Sequence, residues 1–248
     1  KRHSRQIPPG INNYMYIARA VLTSLNIPED VWDVLKSEIT TVRRSKIEKA
    51  AEARSNQIRL IIQDVHDPHN VSACMRTAEA MGIQKIDVVT LSEPFRTTTV
   101  ARGVKNWLDL TKYKTIHECA DAVHQEGFLI CAGMPTSDSI AIDNLPICSE
   151  KPLAILFGNE NAGISPEWQE HVDMYFTIPM AGLVESMNIS VSAAISLHHL
   201  THKSKVTLGS KYYLSLEERK KLLNRWAIKT ISNWEKRYEK VKETKNNS

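Results

Sequence analysis

Five stretches of the chain are apolar almost without a break: IRLIIQDV from Ile58, IDVVTL from Ile86, FLICAG from Phe128, PLAILFG from Pro152 and MYFTIPM from Met174. Their length and continuity predict buried strands. Between the first two, VSACMRTAEAMG puts Val71, Cys74, Met75 and Ala78 at helical spacing, with Asn70 placed to cap the helix and Gly82 to end it. On that helix Ser72, Arg76 and Glu79 share the face opposite the apolar stripe. TIHECADAVHQEG predicts a second helix, and SPEWQEHV a third with Ser165 as cap and Pro166 at its first position. NISVSAAISLHHL alternates like a strand, yet its length and alanines favour a helix. The stretch PFRTTTVARGVKNW is less regular. Strands that alternate with helices predict an α/β domain with a mostly parallel sheet.

The ends read differently. INNYMYIARAVLTSL and IPEDVWDVL have helical spacing, RRSKIEKAAEARSN is a polar helix with little to bury, and residues 214–243 read as one or two amphipathic basic helices. This divides the chain into a helical extension (1–56), an α/β core (57–202) and a basic helical extension (203–248). Charge follows the same division. Residues 1–56 hold 10 Lys+Arg against 6 Asp+Glu, residues 57–202 hold 9 against 17, and residues 203–248 hold 13 against 5. A polyanion is drawn to the two ends and repelled by much of the middle; lysine-rich faces that serve only solubility give the same pattern. A hydrophobic fraction of 42% and a charged fraction of 24% are those of a soluble globular protein, and no apolar run has the ~20 residues of a membrane helix. The basic start, KRHSRQIPPG, has no apolar core behind it and does not read as a secretory signal. Cys74, Cys119, Cys131 and Cys148 form no C-x-x-C pair, so reduced thiols in a cytoplasmic protein are expected, with neither a zinc site nor disulfides. His198 and His202 stand four apart with no accompanying carboxylate, so no metal is expected.

No G-x-G-x-x-G and no P-loop is present. Instead, three polar loops each follow a strand: HDPHN (66–70), FGNENAGIS (157–165) and the turn inside IPMAGLVESMNISVSAAISL (178–197), where Glu185, Ser186 and Asn188 flank Met187. In open α/β sheets ligands gather outside the carboxyl ends of strands, so three such loops predict one pocket. Each loop alone is equally a helix cap or a tight turn.

Together, HNVSACMRTAEAMGI, LFGNENAGIS and IPMAGLVESMNISVSAAISL resemble the three signature motifs of the SpoU family of RNA ribose 2'-O-methyltransferases, in order and over roughly residues 57–202. The basic helix at 43–54 and the extension YYLSLEERKKLLNRW resemble the members that modify tRNA. The resemblance implies a deep trefoil knot at the C-terminal end of the core, a homodimer and S-adenosylmethionine as methyl donor. It implies 2'-O-methylation of a guanosine ribose in tRNA, at position 18 of the D-loop. Ribosomal RNA as substrate and a non-catalytic RNA-binding protein are the alternatives. The motif positions imply that Arg76 acts at the ribose hydroxyl, as base or as electrostatic clamp, and that Asn70 orients it. Glu160, Ser186 and Asn188 shape the ribose and cofactor pocket, and Gly133, Gly158, Ile178 and Met187 meet the cofactor. Arg43, Arg44, Lys46, Lys211, Arg219, Lys220 and Lys221 are the candidate grips on RNA phosphates.

Overall fold

The structure is a computed structural model that describes residues 27–91, 95–99 and 103–246. The helix expected at 11–25 lies outside these residues, as do parts of the 94–107 stretch. In chain order the α-helices among the described residues are α1 (Val31–Leu35), α2 (Thr41–Glu52), α3 (Pro68–Ala80), α4 (Ile116–Gln125), α5 (Ile189–Leu208), α6 (Leu216–Thr230) and α7 (Trp234–Asn246). The chain divides at Thr40/Thr41 and Arg219/Lys220 into two compact units.

The larger unit is built on seven parallel strands: β1 (Ile58–Gln63), β2 (Lys85–Val89), β3 (Asp109–Tyr113), β4 (Leu129–Gly133), β5 (Ile140–Ala141), β6 (Leu153–Phe157) and β7 (Met174–Thr177). Their order across the sheet is β3-β2-β1-β6-β4-β7-β5. The chain first builds β1, β2 and β3 outward, then crosses to the other side of β1, and β6 later enters between β1 and β4. The five expected strands are all present. The two not anticipated, β3 and β5, lie at the edges, where a half-buried or two-residue strand leaves no continuous apolar run.

Side chains alternate between the faces of the sheet. Leu60, Ile62, Ile155 and Phe157 pack on one face with Val71, Cys74, Met75, Ala193 and Leu197. Ile61, Ala154 and Leu156 pack on the other with Cys119, Val123 and Trp168. The first face is covered by α3 and α5, the second by α4. The polar helix α2 buries only Ile47 and Ala51. A charged cluster interrupts the apolar interior of the sheet: Arg59, on β1, is 1% exposed and pairs with the fully buried Asp87 of β2 and with Glu126.

Two helix assignments change. The helix at 68 starts earlier than expected, because Asp67, not Asn70, is its cap: the Asp67 carboxylate accepts from the His69 N–H at 2.8 Å, and Pro68 has no donor that needs a partner. Its end is as expected. Gly82 has φ +81°, and a Cβ there would stand 2.5 Å from the Ala53 carbonyl oxygen. The segment at 166 is a short 3-10 helix (Pro166–Glu170), since the Ser165 side chain bonds to Gln63 and does not cap it. The ambiguous stretch after Asn188 is a helix. Asn188 caps it, accepting from the Ser190 N–H at 2.8 Å, and Ala193, Leu197 and Leu200 are buried while Val191 and Ile195 face outward.

In the smaller unit, the short α1 packs with α7 and with the part of α6 beyond Arg219. Trp32, Leu35, Leu222 and Trp226 are buried. Asn224 ties the pieces together, accepting from the Trp32 N–H and donating to the Glu29 carbonyl, both at 2.8 Å. Asp30 accepts from the Tyr238 hydroxyl and pairs with Lys242.

All four thiols are free; Cys74, Cys119 and Cys131 are buried and Cys148 is exposed. Burial pushes the Cys74 and Cys131 thiols up to about 12 and that of Cys119 higher still. A thiol held protonated and covered does not react. An aromatic disulfide reagent should therefore titrate one thiol per native chain, Cys148, and the other three only in denaturant. Fast reaction of more than one native thiol would contradict the packing.

Candidate active site

The three polar loops meet at the carboxyl ends of β1, β4, β6 and β7. The chain leaves β1 through Asp64, whose φ of +47° is unusual for a residue other than glycine. Asp64 is held on both sides: its carboxylate accepts from the Leu91 N–H at 2.7 Å, and its carbonyl accepts from the Asn159 side-chain amide at 2.7 Å. Gln63 and Ser165 exchange two bonds, at 2.7 and 3.0 Å. The loop after β6 is thus fastened to the end of β1 at Asn159 and at Ser165.

That loop is a tight hairpin. Asn159 and Gly163 exchange backbone bonds at 2.7 and 2.9 Å, and the Asn159 side-chain oxygen accepts from the Asn161 and Ala162 N–H groups. A Cβ on Gly158 would stand 2.1 Å from the Gly163 carbonyl oxygen. Gly158 is required by its own loop, whereas the sequence suggested close approach of a ligand. Gly133 is similar: a Cβ would meet the Phe157 ring at 2.7 Å and the Phe176 ring at 3.1 Å.

Asn70, in the first turn of α3, links all three loops. It donates to the Glu160 carboxylate at 3.1 Å and accepts from the Asn188 amide at 3.2 Å. Glu160 and Asn188, 90 and 118 positions beyond Asn70 in sequence, are thereby joined to it in one polar chain. The chain borders a cavity of about 640 Å³ whose walls include Gly133, Gly158, Glu160, Ile178, Ser186, Met187 and Asn188. Seven of the nine expected catalytic and cofactor residues line this one space, and an eighth, Asn70, is bonded to two of them.

The ninth, Arg76, is elsewhere. Six residues along a helix from Asn70, it faces about 120° away, so Asn70 does not orient it as expected. Arg76 is exposed and borders an open depression between α3 and α5, with Ala73, Thr77, Val104, Ile195 and His198. Glu79 does not pair with it. The Glu79 carboxylate is taken by Arg54, 1% exposed, whose guanidinium donates to it at 2.7 Å and to the Glu79 and Ile83 carbonyls. Arg54 thereby closes the C-terminal end of the helix that carries Arg76. Sequence reading missed Arg54, Gln63, Asp64, Asn159 and Ser165, which position the site; a polar residue at the end of an apolar run was the available signal for Gln63 and Asp64.

Among the RNA-grip candidates, Arg43, Lys46, Lys211, Lys220 and Lys221 are exposed and Arg44 is half-buried. Arg219 stands 3.9 Å from Glu52. No three His, Cys, Asp or Glu side chains among the described residues are placed to hold a metal ion.

A sequence model of the SpoU rRNA Methylase family matches residues 57–198, the span that holds all three loops. The chain belongs to this family. It is 30% identical over 203 residues to the tRNA (guanosine(18)-2'-O)-methyltransferase of Borreliella burgdorferi, covering 82% of this chain and 92% of that one. It is 32% identical over 194 residues to the enzyme of the same name from Thermus thermophilus, covering 77% and 99%. Among solved structures, the A. aeolicus TrmH/SpoU tRNA modifying enzyme superposes with a TM-score of 0.67 at 26% identity, over 77% of this chain and 97% of that one.

SpoU methylases use S-adenosylmethionine, and the cavity suits it. Its volume is that of a small-molecule site, ~300–1,000 Å³. Phe157, Phe176, Ile178 and Met187 offer apolar walls, while Glu160 and Glu185 complement a cationic sulfonium and amino group. When bound, the cofactor supplies a methyl group on positively charged sulfur for in-line displacement.

Two substitutions separate the roles of these parts. Gly158→Ala sets a clash of ~1–3 kcal/mol against the closed hairpin. Binding of labelled S-adenosylmethionine in equilibrium dialysis should weaken about tenfold or more, with the urea midpoint little changed because the exposed hairpin opens before the core does. Unaltered binding would exclude the tight-loop account. Arg54→Met removes charge-assisted bonds of ~1.5–3 kcal/mol and should lower unfolding free energy by about that amount. A wild-type urea curve would show that the clamp does not hold α3.

Proposed function

We propose that this SpoU methylase transfers the methyl group of S-adenosylmethionine to the 2'-hydroxyl of a guanosine ribose in tRNA, at position 18 in the D-loop. The observation that carries this reading is the hydrogen-bonded chain Asn188–Asn70–Glu160, which joins the three motifs at the rim of the cavity. The names of the two relatives described above supply the nucleotide and the RNA class.

The chemistry requires a hydroxyl held in line with the methyl group and a way to stabilise the oxyanion that forms. Asn70, Glu160, Ser186 and Asn188 would shape that pocket, with Gly133, Gly158, Ile178 and Met187 at the cofactor. Arg76 acts as a fixed cation on the hydroxyl and an adjacent phosphate, because a guanidinium does not lose its proton in proteins. Its place on the far flank of α3 is reconciled by a homodimer in which Arg76 of one protomer completes the pocket of the other. Support comes from the depression beside Arg76, from Val191 at 46% and Ile195 at 39% exposure on the adjoining helix, and from exposed Leu183 and Val184 in the 178–188 turn.

The trefoil knot is part of the same reading. The late entry of β6 between β1 and β4 supports it, as does the course of 178–188, which leaves β7 and returns to α3 through Asn188. Arg43, Arg44, Lys46, Lys211, Arg219, Lys220 and Lys221 would hold the tRNA backbone from the two extensions, leaving 57–202 as the catalytic core. No described helix is long and apolar enough to cross a membrane, and tRNA as substrate supports a cytoplasmic location.

The test is incubation with labelled S-adenosylmethionine and an unmodified tRNA transcript, followed by mapping of the methylated nucleotide. Label in the 2'-O-methylated guanosine of the D-loop is expected; label only in ribosomal RNA would overturn the tRNA assignment. Arg76→Ala and Asn188→Ala should each abolish turnover, and Arg76→Ala should keep cofactor binding. Mixed dimers of the two variants should regain activity, since one pocket per dimer is then intact. Mixed dimers as inactive as their parents would exclude a pocket shared between protomers.

A further inference from the structure

We infer that Ser190 is a positioning residue for the methyl transfer: its hydroxyl fixes the amide of Asn188, and with it the direction of the hydrogen-bonded chain that ends on Glu160. The role rests on the RNA methylation proposed above and adds to that site a residue that does not itself border the cavity.

Ser190 is the second residue of α5 and is half-buried. It grips Asn188, the cap of that helix, twice. The Asn188 side-chain oxygen accepts from the Ser190 N–H at 2.8 Å and from the Ser190 hydroxyl at 2.7 Å. An amide oxygen has two lone pairs, and both are then taken. What Asn188 has left to offer is its NH2 group, which can only donate. It donates to the Asn70 side-chain oxygen at 3.2 Å, and the Asn70 NH2 group donates in turn to the Glu160 carboxylate at 3.1 Å. Every bond runs the same way, from Ser190 through Asn188 and Asn70 to Glu160. A turned Asn188 amide would set NH2 against N–H at Ser190, and oxygen against oxygen at Asn70.

The backbone N–H alone fixes the sense of the Asn188 amide but not its plane. The last torsion of an asparagine side chain is soft, so an amide held at one point swings about that bond. Two donors from one residue hold the oxygen as a fork and aim the NH2 group. The bond to Asn70 is the longest of the chain and the first that a swing would break. Aligned bonds also polarise one another, which strengthens the donor that reaches Glu160. For α5 itself the hydroxyl does little, since serine forms helix less readily than alanine and the Ser190 N–H already makes the cap bond.

The experiment compares full-length wild type with Ser190→Ala, which removes the hydroxyl, and Ser190→Thr, which keeps it. The rate constant of methyl transfer is measured in single turnover, with protein and S-adenosylmethionine saturating over an unmodified tRNA transcript. The dissociation constant for tRNA and the urea midpoint are measured beside it. Ser190→Ala should slow transfer ~3–10-fold, the worth of one neutral hydrogen bond, with tRNA affinity and urea midpoint as in wild type. Ser190→Thr should restore most of the rate. A wild-type rate in Ser190→Ala overturns the role, and so does a Ser190→Thr as slow as Ser190→Ala. A slower Ser190→Ala that also loses tRNA affinity or urea midpoint assigns the hydroxyl to the folding of α5, which overturns it as well. If Ser190→Ala does not fold, Ser190→Cys, whose thiol is only a weak donor, is read in its place. If wild type methylates ribosomal RNA instead, the tRNA reading falls, and the same comparison on that RNA decides Ser190. Wild type that methylates no RNA overturns both.

Discussion

The carboxamide of Asn70 is the point on which the site depends. It has one donor group and one acceptor, and in this fold each faces a different motif: Glu160 takes the donor and Asn188 fills the acceptor. No other neutral side chain of this length offers both functions in one plane. An aspartate would place two carboxylates together at Glu160, and a leucine would leave both partners without a bond. The pairing also sets where the chain passes. Asn188 caps α5 with its side-chain oxygen while its amide reaches Asn70, so the start of one helix is registered against the first turn of another.

The frame beneath that contact is built to hold it. Three further bonds, made by Gln63, Ser165 and Asn159, fasten the loop of Glu160 to the end of β1. On the β1 side they fall where the apolar strand ends, the sheet ladder stops and backbone groups need new partners. The positive φ of Asp64 turns the chain there, and its carboxylate and carbonyl are both used in holding the turn. The loop after β6 accordingly has little freedom, and the glycines at 158 and 163 serve its closure.

The long, continuously apolar strands are legible from sequence because burial on both faces leaves few polar positions in them, and helix 189–208 is legible from its cap and its alanines. What escapes a reading of sequence is governed by neighbours distant along the chain. Arg59 sits inside an apolar run, and nothing local announces that Asp87 of the next strand neutralises it. DLTKY is an edge strand whose lysine and aspartate mask its period. Asn70 reads both as a site residue and as the helix cap, and the cap is Asp67 instead, because Asp67, followed by proline, competes for that position and wins with a charged acceptor. Motif membership puts Arg76 in the pocket; the helical period, which sets it on a different face from Asn70, puts it on the other flank. Composition along the chain is informative about charge but not about which cations face one another.

Arg54 shows how α2, the turn before α6 and the helix bearing Arg76 are joined. Residues 53–55 run from the end of α2 into β1. They are pinned on one side to the last turn of α3, through the Arg54 guanidinium and the Ser55 N–H bond to the Gly82 carbonyl. On the other side the Leu214 N–H donates to the Arg54 carbonyl and the Ser55 hydroxyl to the Tyr212 carbonyl, immediately before α6 begins. The helix bearing Arg43 and Lys46, the turn bearing Lys211 and the helix bearing Arg76 therefore share a single buried junction. The close approach at Gly82, where no side chain fits, leaves that junction no slack.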